Sequence, residues 1–145
     1  MNKRRRNAFT LIEILIVVVI MAVLAATIIP QFAASTEDAK RSQQDFNLHT
    51  IRSQIEIYKL QHAGTYPKID NGLEQLTKKT KIDGTIDAVN GTLGPYILEK
   101  LPANPFTNSA TVSASTTGTE RTGGGWLYEA ATGRVWADGP AAPAP

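Results

Sequence analysis

The chain has 145 residues, enough for one domain, and it contains no cysteine. Disulfide bonds and thiolate metal sites are therefore excluded. The formal net charge is +2, but four of the 15 basic residues lie together at positions 3–6. The remaining 11 basic residues and 13 acidic residues leave a net charge of −2. The basicity thus belongs to an N-terminal leader, and we expect no nucleic-acid partner.

A membrane-length apolar run follows the basic cluster Lys3–Arg6. From Ile14 to Ile29 every residue except Thr27 is apolar, and the run begins near Phe9. At about 1.5 Å per residue, a helix of about 20 residues spans a hydrocarbon core of about 30 Å. The positive-inside rule then predicts a cytoplasmic N-terminus, with the rest of the chain across the membrane.

The stretch after Pro30 is predicted to be an amphipathic helix. Residues 31–63 contain no glycine or proline. Side chains that can be buried recur every three or four residues, at Leu48, Ile51, Ile55, Tyr58 and His62. We predict one long helix from about Phe9 to His62 with a kink at Pro30. Gly64 is expected to end it, and Pro67 to prevent its continuation.

The first part of the predicted head, residues 64–139, contains sequence patterns for a short helix, a loop and a turn. Residues 71–76 indicate a short helix, capped near Asp70 or Asn71. Residues 81–94 are rich in Gly, Asp, Asn and Thr and predict a loop. Pro102 and Pro105 are expected to bracket a turn.

The end of the head is predicted to hold a β-hairpin. Residues 110–125 are rich in Ser, Thr and Gly and indicate a mobile or irregular segment. Two aromatic-rich runs, 126–128 and 134–136, flank a short connection that ends in Gly133. We expect Trp126 and Trp136 to pack on the helix stripe, with contacts to other subunits or cargo as the alternative. Residues 140–145, a Pro/Ala tail, are expected to be frayed.

The acidic residue Glu13 lies near one end of the apolar run, one helical turn after Phe9. A carboxylate in the hydrocarbon region costs a few kcal/mol, so it needs a partner. Cleavage between Ala8 and Phe9 would create a positive amine with which Glu13 of the same or an adjacent helix could pair. Solvation of Glu13 in the headgroup layer is an equal alternative on position alone.

The segment Ala8-Phe9-Thr10-Leu11-Ile12-Glu13 resembles the prepilin peptidase recognition motif of type IV pilin-like proteins. The resemblance implies cleavage between Ala8 and Phe9, N-methylation of Phe9, an assembly role for Glu13 and a helix proline at Pro30. Ala8 departs from the motif, which usually has Gly there. The implied fold is α+β and pilin-like, with the long helix packed on a small C-terminal antiparallel β-sheet.

The middle of the head is similar to the major pseudopilins of type II secretion, known as general secretion pathway protein G. The similarity rests on Gly64–Pro67, Asn71–Leu76 and Pro95–Phe106. It implies a structural subunit of a periplasmic filament that promotes protein export. The implied partners are prepilin peptidase, identical and minor pseudopilin subunits and an inner-membrane assembly platform. The family's C-terminal loop binds calcium through acidic residues, but residues 108–125 here hold only Glu120, so we expect no calcium and no other cofactor.

Other candidate ligand residues favour structural roles. Asp83, Asp87 and Asn90 form an oxygen-rich loop, but their spacing matches no EF-hand and is typical of turns. His49 and His62 lie 13 residues apart on one predicted helix and cannot share a metal by themselves. We therefore expect no metal site.

Three alternatives remain at this level. A secreted enzyme with a signal peptide cut before Ser35 is disfavoured by the length of the apolar run, by Glu13 and by the lack of a catalytic set. A single-span anchored binding domain would differ only in what happens at Ala8 and Phe9. A type IV pilus subunit is disfavoured by the absence of cysteine, because pilus subunits often close a C-terminal loop with a disulfide.

Overall fold

The computed structural model describes residues 9–139, so the leader with Ala8 and the tail 140–145 lie outside the described part. The chain divides into two compact units between Ala39 and Lys40. Two helices, α1 (Leu11–Gln61) and α2 (Glu74–Thr77), are followed by three strands, β1 (Val112–Ala114), β2 (Trp126–Glu129) and β3 (Arg134–Ala137). The α+β class and the long N-terminal helix are thus confirmed.

Helix α1 ends close to the predicted position, but a different residue turns the backbone. Ala63 adopts the left-handed conformation with φ 52°. The N–H of Gly64 donates to the carbonyl oxygen of Lys59 at 2.9 Å, as in a Schellman motif whose left-handed residue is Ala63. Gly64 also has a positive φ, 82°, so two consecutive residues with positive φ end the helix.

The predicted stripe of α1 forms one side of the head's core. Ile51, Ile55, Tyr58 and His62 are each at most 1% exposed. The core cluster also contains the residue before α2, one residue of α2, one of the following loop and three of the sheet, namely Leu73, Leu76, Leu101, Trp126, Tyr128 and Val135. Since about 25 cal/mol is gained per Å² of apolar surface buried, this cluster is the main stabilising element of the head.

The sheet is mixed, whereas the sequence predicted an antiparallel one. Strands β2 and β3 form the expected antiparallel hairpin, with Leu127 opposite Trp136. Strand β1 pairs with β2 in parallel, Val112 beside Trp126. Residues 110–125 are therefore not irregular throughout, because Val112–Ala114 is a strand. The sequence did not predict this strand because its three residues, two of them small, are too few to show an alternation of apolar and polar side chains.

The cap predicted for α2 is also wrong. The residue before the helix is Leu73, with φ 64°, and it makes no side-chain cap hydrogen bond. Asn71 instead donates through its Nδ2 to Glu74 Oε2 at 3.1 Å. Leu73 is 1% exposed, so burial of its side chain in the core offsets the cost of its left-handed backbone.

A buried asparagine connects the helix, the loop before the sheet and the hairpin. Asn104 is fully buried, and its Oδ1 accepts hydrogen bonds from Gln44 Nε2 and Phe106 N, each at 3.0 Å. Its Nδ2 donates to the carbonyl oxygens of Gly125 at 2.8 Å and Asp138 at 2.6 Å. All the hydrogen-bonding capacity of the amide is used, so the polar group is buried without an unsatisfied atom.

Candidate assembly site

The start of helix α1 brings Thr10 and Glu13 together. Glu13 Oε2 accepts hydrogen bonds from Thr10 N and Thr10 Oγ1, both at 2.8 Å. In return, Glu13 N donates to Thr10 Oγ1 at 3.3 Å. This reciprocal arrangement is a capping box, which satisfies backbone N–H groups at the helix start.

Thr10 is a site residue that the sequence reasoning did not single out. The Thr-x-x-Glu pattern at positions 10–13 is the sequence signature of a capping box and would have identified it. Within residues 9–139, Glu13 Oε1 has no hydrogen-bond partner. One carboxylate oxygen is thus held in the helix cap, and the other accepts no hydrogen bond from the described residues.

The predicted cleavage position lies at the edge of the described chain. Ala8 is outside it, and Phe9, the first described residue, is 80% exposed. Phe9 and Glu13 flank the turn in which the capping box forms.

Pro30 lies inside helix α1, which runs through it. Proline has no backbone N–H, so the carbonyl of Ala26, four residues earlier, lacks its helical donor. One turn before this gap, Thr27 Oγ1 donates to the carbonyl oxygen of Val23 at 3.1 Å. The proline thus removes one hydrogen bond at the end of the apolar run. The kink remains a prediction.

The apolar run of α1 is exposed on all sides within its own unit. The helix is long and apolar enough to cross a membrane, and none of its most apolar 18-residue window is buried. Exposure of the large side chains ranges from 46% at Ile28 to 84% at Leu11. A helix that is apolar all round requires an apolar environment from outside its own chain.

The oxygen-rich loop directs its carboxylates toward its own backbone. Asp83 Oδ1 accepts from Thr85 N at 2.9 Å, and Asp87 Oδ1 accepts from Asn90 N, also at 2.9 Å. The hydrogen bond from Asn90 N, with the Lys81 ammonium 3.0 Å from Asp87 Oδ2, keeps the pKa of Asp87 well below its usual value. The loop therefore has the turn geometry that the sequence predicted. Within residues 9–139, no group of three or more His, Asp or Glu side chains could hold a metal ion.

The two histidines occupy different environments. His49 is exposed, whereas His62 is 1% exposed and stacks on Tyr58 with ring centroids 3.7 Å apart. The His62 ring nitrogens lie 2.8 Å from the carbonyl oxygen of Tyr58 and 2.9 Å from Thr80 Oγ1. The packing role predicted for His62 is confirmed.

The two tryptophans lie on opposite faces of the sheet. Trp126 is fully buried in the core, and its Nε1 donates to the carbonyl oxygen of Pro102 at 2.8 Å. Trp136 pairs with Leu127 on the other face, where its ring lies against Gly118. The expectation that both pack on the helix stripe is therefore right for Trp126 and wrong for Trp136, because successive strand residues point to opposite faces.

Comparison with known proteins first defines the class. Residues 3–29 match the prokaryotic N-terminal methylation motif, which includes Phe9, Glu13 and most of the exposed helix. A long N-terminal helix that is exposed over its apolar half and buried on one face over its second half fits this class. The class is thus that of pilin-like filament proteins.

The family follows from the head. Residues 31–121 match the family "Type II secretion system (T2SS), protein G", and the chain belongs to this family. It is 37% identical to type II secretion system core protein G of Pseudomonas aeruginosa over 74% of this chain and 73% of the relative. The proteins of the same name from Dickeya chrysanthemi (36%, over 53% of this chain and 50% of the relative) and Aeromonas hydrophila (30%, over 74% and 73%) are also similar. No solved structure matches the chain significantly.

Proposed function

We propose that this chain is a structural subunit of a type II secretion pseudopilus, made as a precursor and assembled into a periplasmic filament that promotes protein export. One observation carries the proposal: a methylation motif at residues 3–29 directly precedes a protein G match at residues 31–121. The methylation motif indicates processing and a filament helix, and the protein G match indicates the head that the helix carries. A type IV pilus subunit or an anchored binding domain would not require the protein G match.

Processing begins while the subunit is an inner-membrane protein. Lys3–Arg6 hold the leader at the cytoplasmic face, and the head lies in the periplasm. Prepilin peptidase cuts between Ala8 and Phe9, and the new amine of Phe9 is methylated. Loss of the leader removes the basic cluster and leaves the mature chain with an excess of acidic residues. The basic residues therefore set the topology.

Assembly uses the turn that contains Glu13. Its Oε2 is held by Thr10, which fixes the side chain close to the helix start. Its Oε1 then meets the positive amine of Phe9 on a neighbouring subunit, so that the pair sets the axial register between helices. A charge pair in an apolar surrounding is strong only when both partners are positioned, and the capping box provides this for the carboxylate.

The exposed apolar surface of α1 changes partner during assembly. In the membrane it contacts lipid, and in the filament it contacts the helices of identical subunits. Pro30 weakens the helical hydrogen-bond ladder at the end of the run and allows local unwinding as the helices pack. An inner-membrane assembly platform and minor pseudopilins complete the set of partners. The subunit itself is not an enzyme and needs no cofactor.

Mass spectrometry of the mature N-terminus tests the proposal. We expect a chain that starts at Phe9 and carries one methyl group. An intact Met1 would indicate an anchored protein, and a start at Ser35 would indicate a secreted one. Either result would overturn the proposal.

Substitutions at the capping box separate processing from assembly. Glu13→Ala should leave cleavage intact and reduce filament yield at least tenfold, because the amine of the neighbour loses its partner. Thr10→Val removes the hydroxyl but keeps the carboxylate, so filament yield should fall by a smaller factor. Quantitative immunoblots of cleaved subunit and sheared filaments measure both steps. Normal filaments from Glu13→Ala would contradict the docking role.

A further inference from the structure

The connection between β1 and β2 is held by two carboxylates that accept hydrogen bonds from its backbone and hydroxyl groups. The first is Asp138, directly after β3, which is 1% exposed. Its Oδ2 accepts from Thr122 N at 2.9 Å, Thr122 Oγ1 at 2.6 Å and Gly124 N at 3.0 Å. Burial disfavours the charged form, but these hydrogen bonds outweigh it and keep the pKa of Asp138 below its usual value.

The second carboxylate, Glu120, closes the first half of the connection. Its Oε2 accepts a short hydrogen bond from Ser115 Oγ, and its Oε1 accepts from Thr117 Oγ1 at 3.0 Å. Ser115 in turn accepts from Gly118 N at 2.7 Å, and its own N–H donates to the carbonyl oxygen of Tyr128 at 3.0 Å. The Ser/Thr-rich segment is therefore joined to the neighbouring strand through Ser115.

This donor set does not fit the calcium ion that the family resemblance implies for the C-terminal loop. Calcium takes six to eight oxygen ligands, mostly carboxylates and carbonyls. Both oxygens of Glu120 and one oxygen of Asp138 already accept hydrogen bonds from N–H or O–H groups. A cation at Asp138 Oδ2 would meet the positive ends of three donors. It would take the acceptor of the Thr122 N–H and leave the Gly124 N–H with only Thr122 Oγ1, at 3.3 Å.

We propose that direct hydrogen bonds from residues 115–124 to Glu120 and Asp138 replace calcium in this chain, so that the head folds and keeps its C-terminal segment ordered without a metal ion. Asp138 is the main element, because its single oxygen Oδ2 binds three donors from the far end of the connection. Glu120 has the smaller effect, because its donors are hydroxyl groups close to it in sequence. The proposal concerns the head alone and is independent of the filament role.

The test uses the full-length chain in detergent micelles, with unfolding followed by tryptophan fluorescence. The midpoint temperature Tm should agree within about 1 °C in millimolar CaCl₂ and in EDTA. If the head bound calcium, a calcium concentration of about a hundred times the Kd would instead raise Tm by roughly 10 °C for a domain of this size. A calcium-dependent rise of that order would overturn the proposal.

Hydrogen exchange of individual amides tests the hydrogen bonds themselves. The amides of Thr122 and Gly124 should exchange slowly, at the same rate with calcium and with EDTA. Asp138→Ala should accelerate both at least tenfold, while the matched control Asp70→Ala, at an exposed carboxylate, should leave them unchanged. Protection that survives Asp138→Ala, or that requires calcium in the wild type, would overturn the proposal.

A milder variant covers the case in which Asp138→Ala does not fold. Thr122→Val removes one donor to Asp138 and should lower Tm by about 5 °C, whereas Thr92→Val, at an exposed threonine, should lower it by less than about 1 °C. Equal effects of the two threonine variants would show that the contact at Asp138 does not stabilise the segment and would refute the proposal.

Discussion

The two units of this chain use the same kinds of side chain in opposite ways. Ile14, in the first unit, is 53% exposed, whereas Ile55, in the head, is fully buried. In the head, the apolar face of α1 is covered by the chain's own loops and sheet. In the first unit, the described residues leave the apolar surface uncovered. The comparison shows that the apolar side chains of the first unit form a continuous surface that the described part of the chain does not cover.

The largest effect is expected when a core side chain is removed from the head. Ile55→Ala should lower the free energy of unfolding by about 3–4 kcal/mol, because it removes buried methyl groups and leaves a cavity. Ile14→Ala, in the apolar run, should change it by less than about 0.5 kcal/mol. Urea unfolding in micelles, followed by tryptophan fluorescence, measures both. Similar losses from the two variants would contradict the contrast between the units.

The next test concerns the polar part of the head's interior. Asn104→Ala deletes four side-chain hydrogen bonds and should cost about 2–3 kcal/mol, since buried donors and acceptors lose their partners. Asn90→Ala, at an exposed asparagine, should cost less than about 1 kcal/mol. The same urea titration compares them. A neutral Asn104→Ala would show that apolar packing alone specifies the head.

A matched pair of glycines separates backbone strain from close contact. Gly133 and Gly123 have φ of 73° and 72°, but a Cβ at Gly133 would lie 2.2 Å from Tyr66 Cε1, while nothing lies within 4 Å of one at Gly123. We expect a loss of about 2 kcal/mol for Gly133→Ala and about 1 kcal/mol for Gly123→Ala. Thermal unfolding of the two variants gives the difference. Equal losses would mean that the Tyr66 ring moves away at no cost.

The smallest effect is expected at alkaline pH. Burial raises the pKa of Tyr58 to about 12, and it also raises the pKa of Tyr128. The neutral phenol is thus favoured in the folded head. Its contribution to stability is complete below the unfolded-state pKa of about 10 and is lost as the pH rises toward 12. From Tyr58 alone we expect a loss of about 1 kcal/mol between pH 10 and pH 11.

Tyr58→Phe is the control for this pH dependence. The variant lacks the titrating hydroxyl, so its stability should fall less steeply above pH 10 than that of the wild type. Unfolding midpoints at several alkaline pH values provide the comparison. Identical slopes would show that other groups cause the alkaline loss.

The helix and the hairpin could be predicted because their signals are local. The spacing of Ile51, Ile55 and Tyr58 indicates which face of α1 is buried, and two aromatic-rich runs around a Gly-ended connection indicate a hairpin. Strand β1 could not be predicted, because Val112–Ala114 becomes a strand only through parallel pairing with β2. Such a pairing depends on residues distant in sequence and leaves no pattern in the strand itself.

The candidate assembly site also has features that the sequence predicts and features that only the structure shows. The apolar run, the basic leader and the acidic residue at position 13 are all visible in the sequence, as is the Thr-x-x-Glu pattern. The structure then showed that Thr10 donates both of its hydrogen bonds to the same oxygen of Glu13, Oε2. A pattern of residue types can indicate a capping box, but only the folded structure shows which atoms form its hydrogen bonds.

The sequence by itself determined the membrane-length helix, its amphipathic continuation and the family to which the chain belongs, because periodicity, length and motif spacing are properties of neighbouring residues. Only the tertiary structure decided the parallel pairing of β1, the separate faces of Trp126 and Trp136, and the roles of Asn104 and Asp138. Those features depend on hydrogen bonds and contacts between residues far apart in the chain. Their free energy arises when the chain folds and is not encoded in any local pattern.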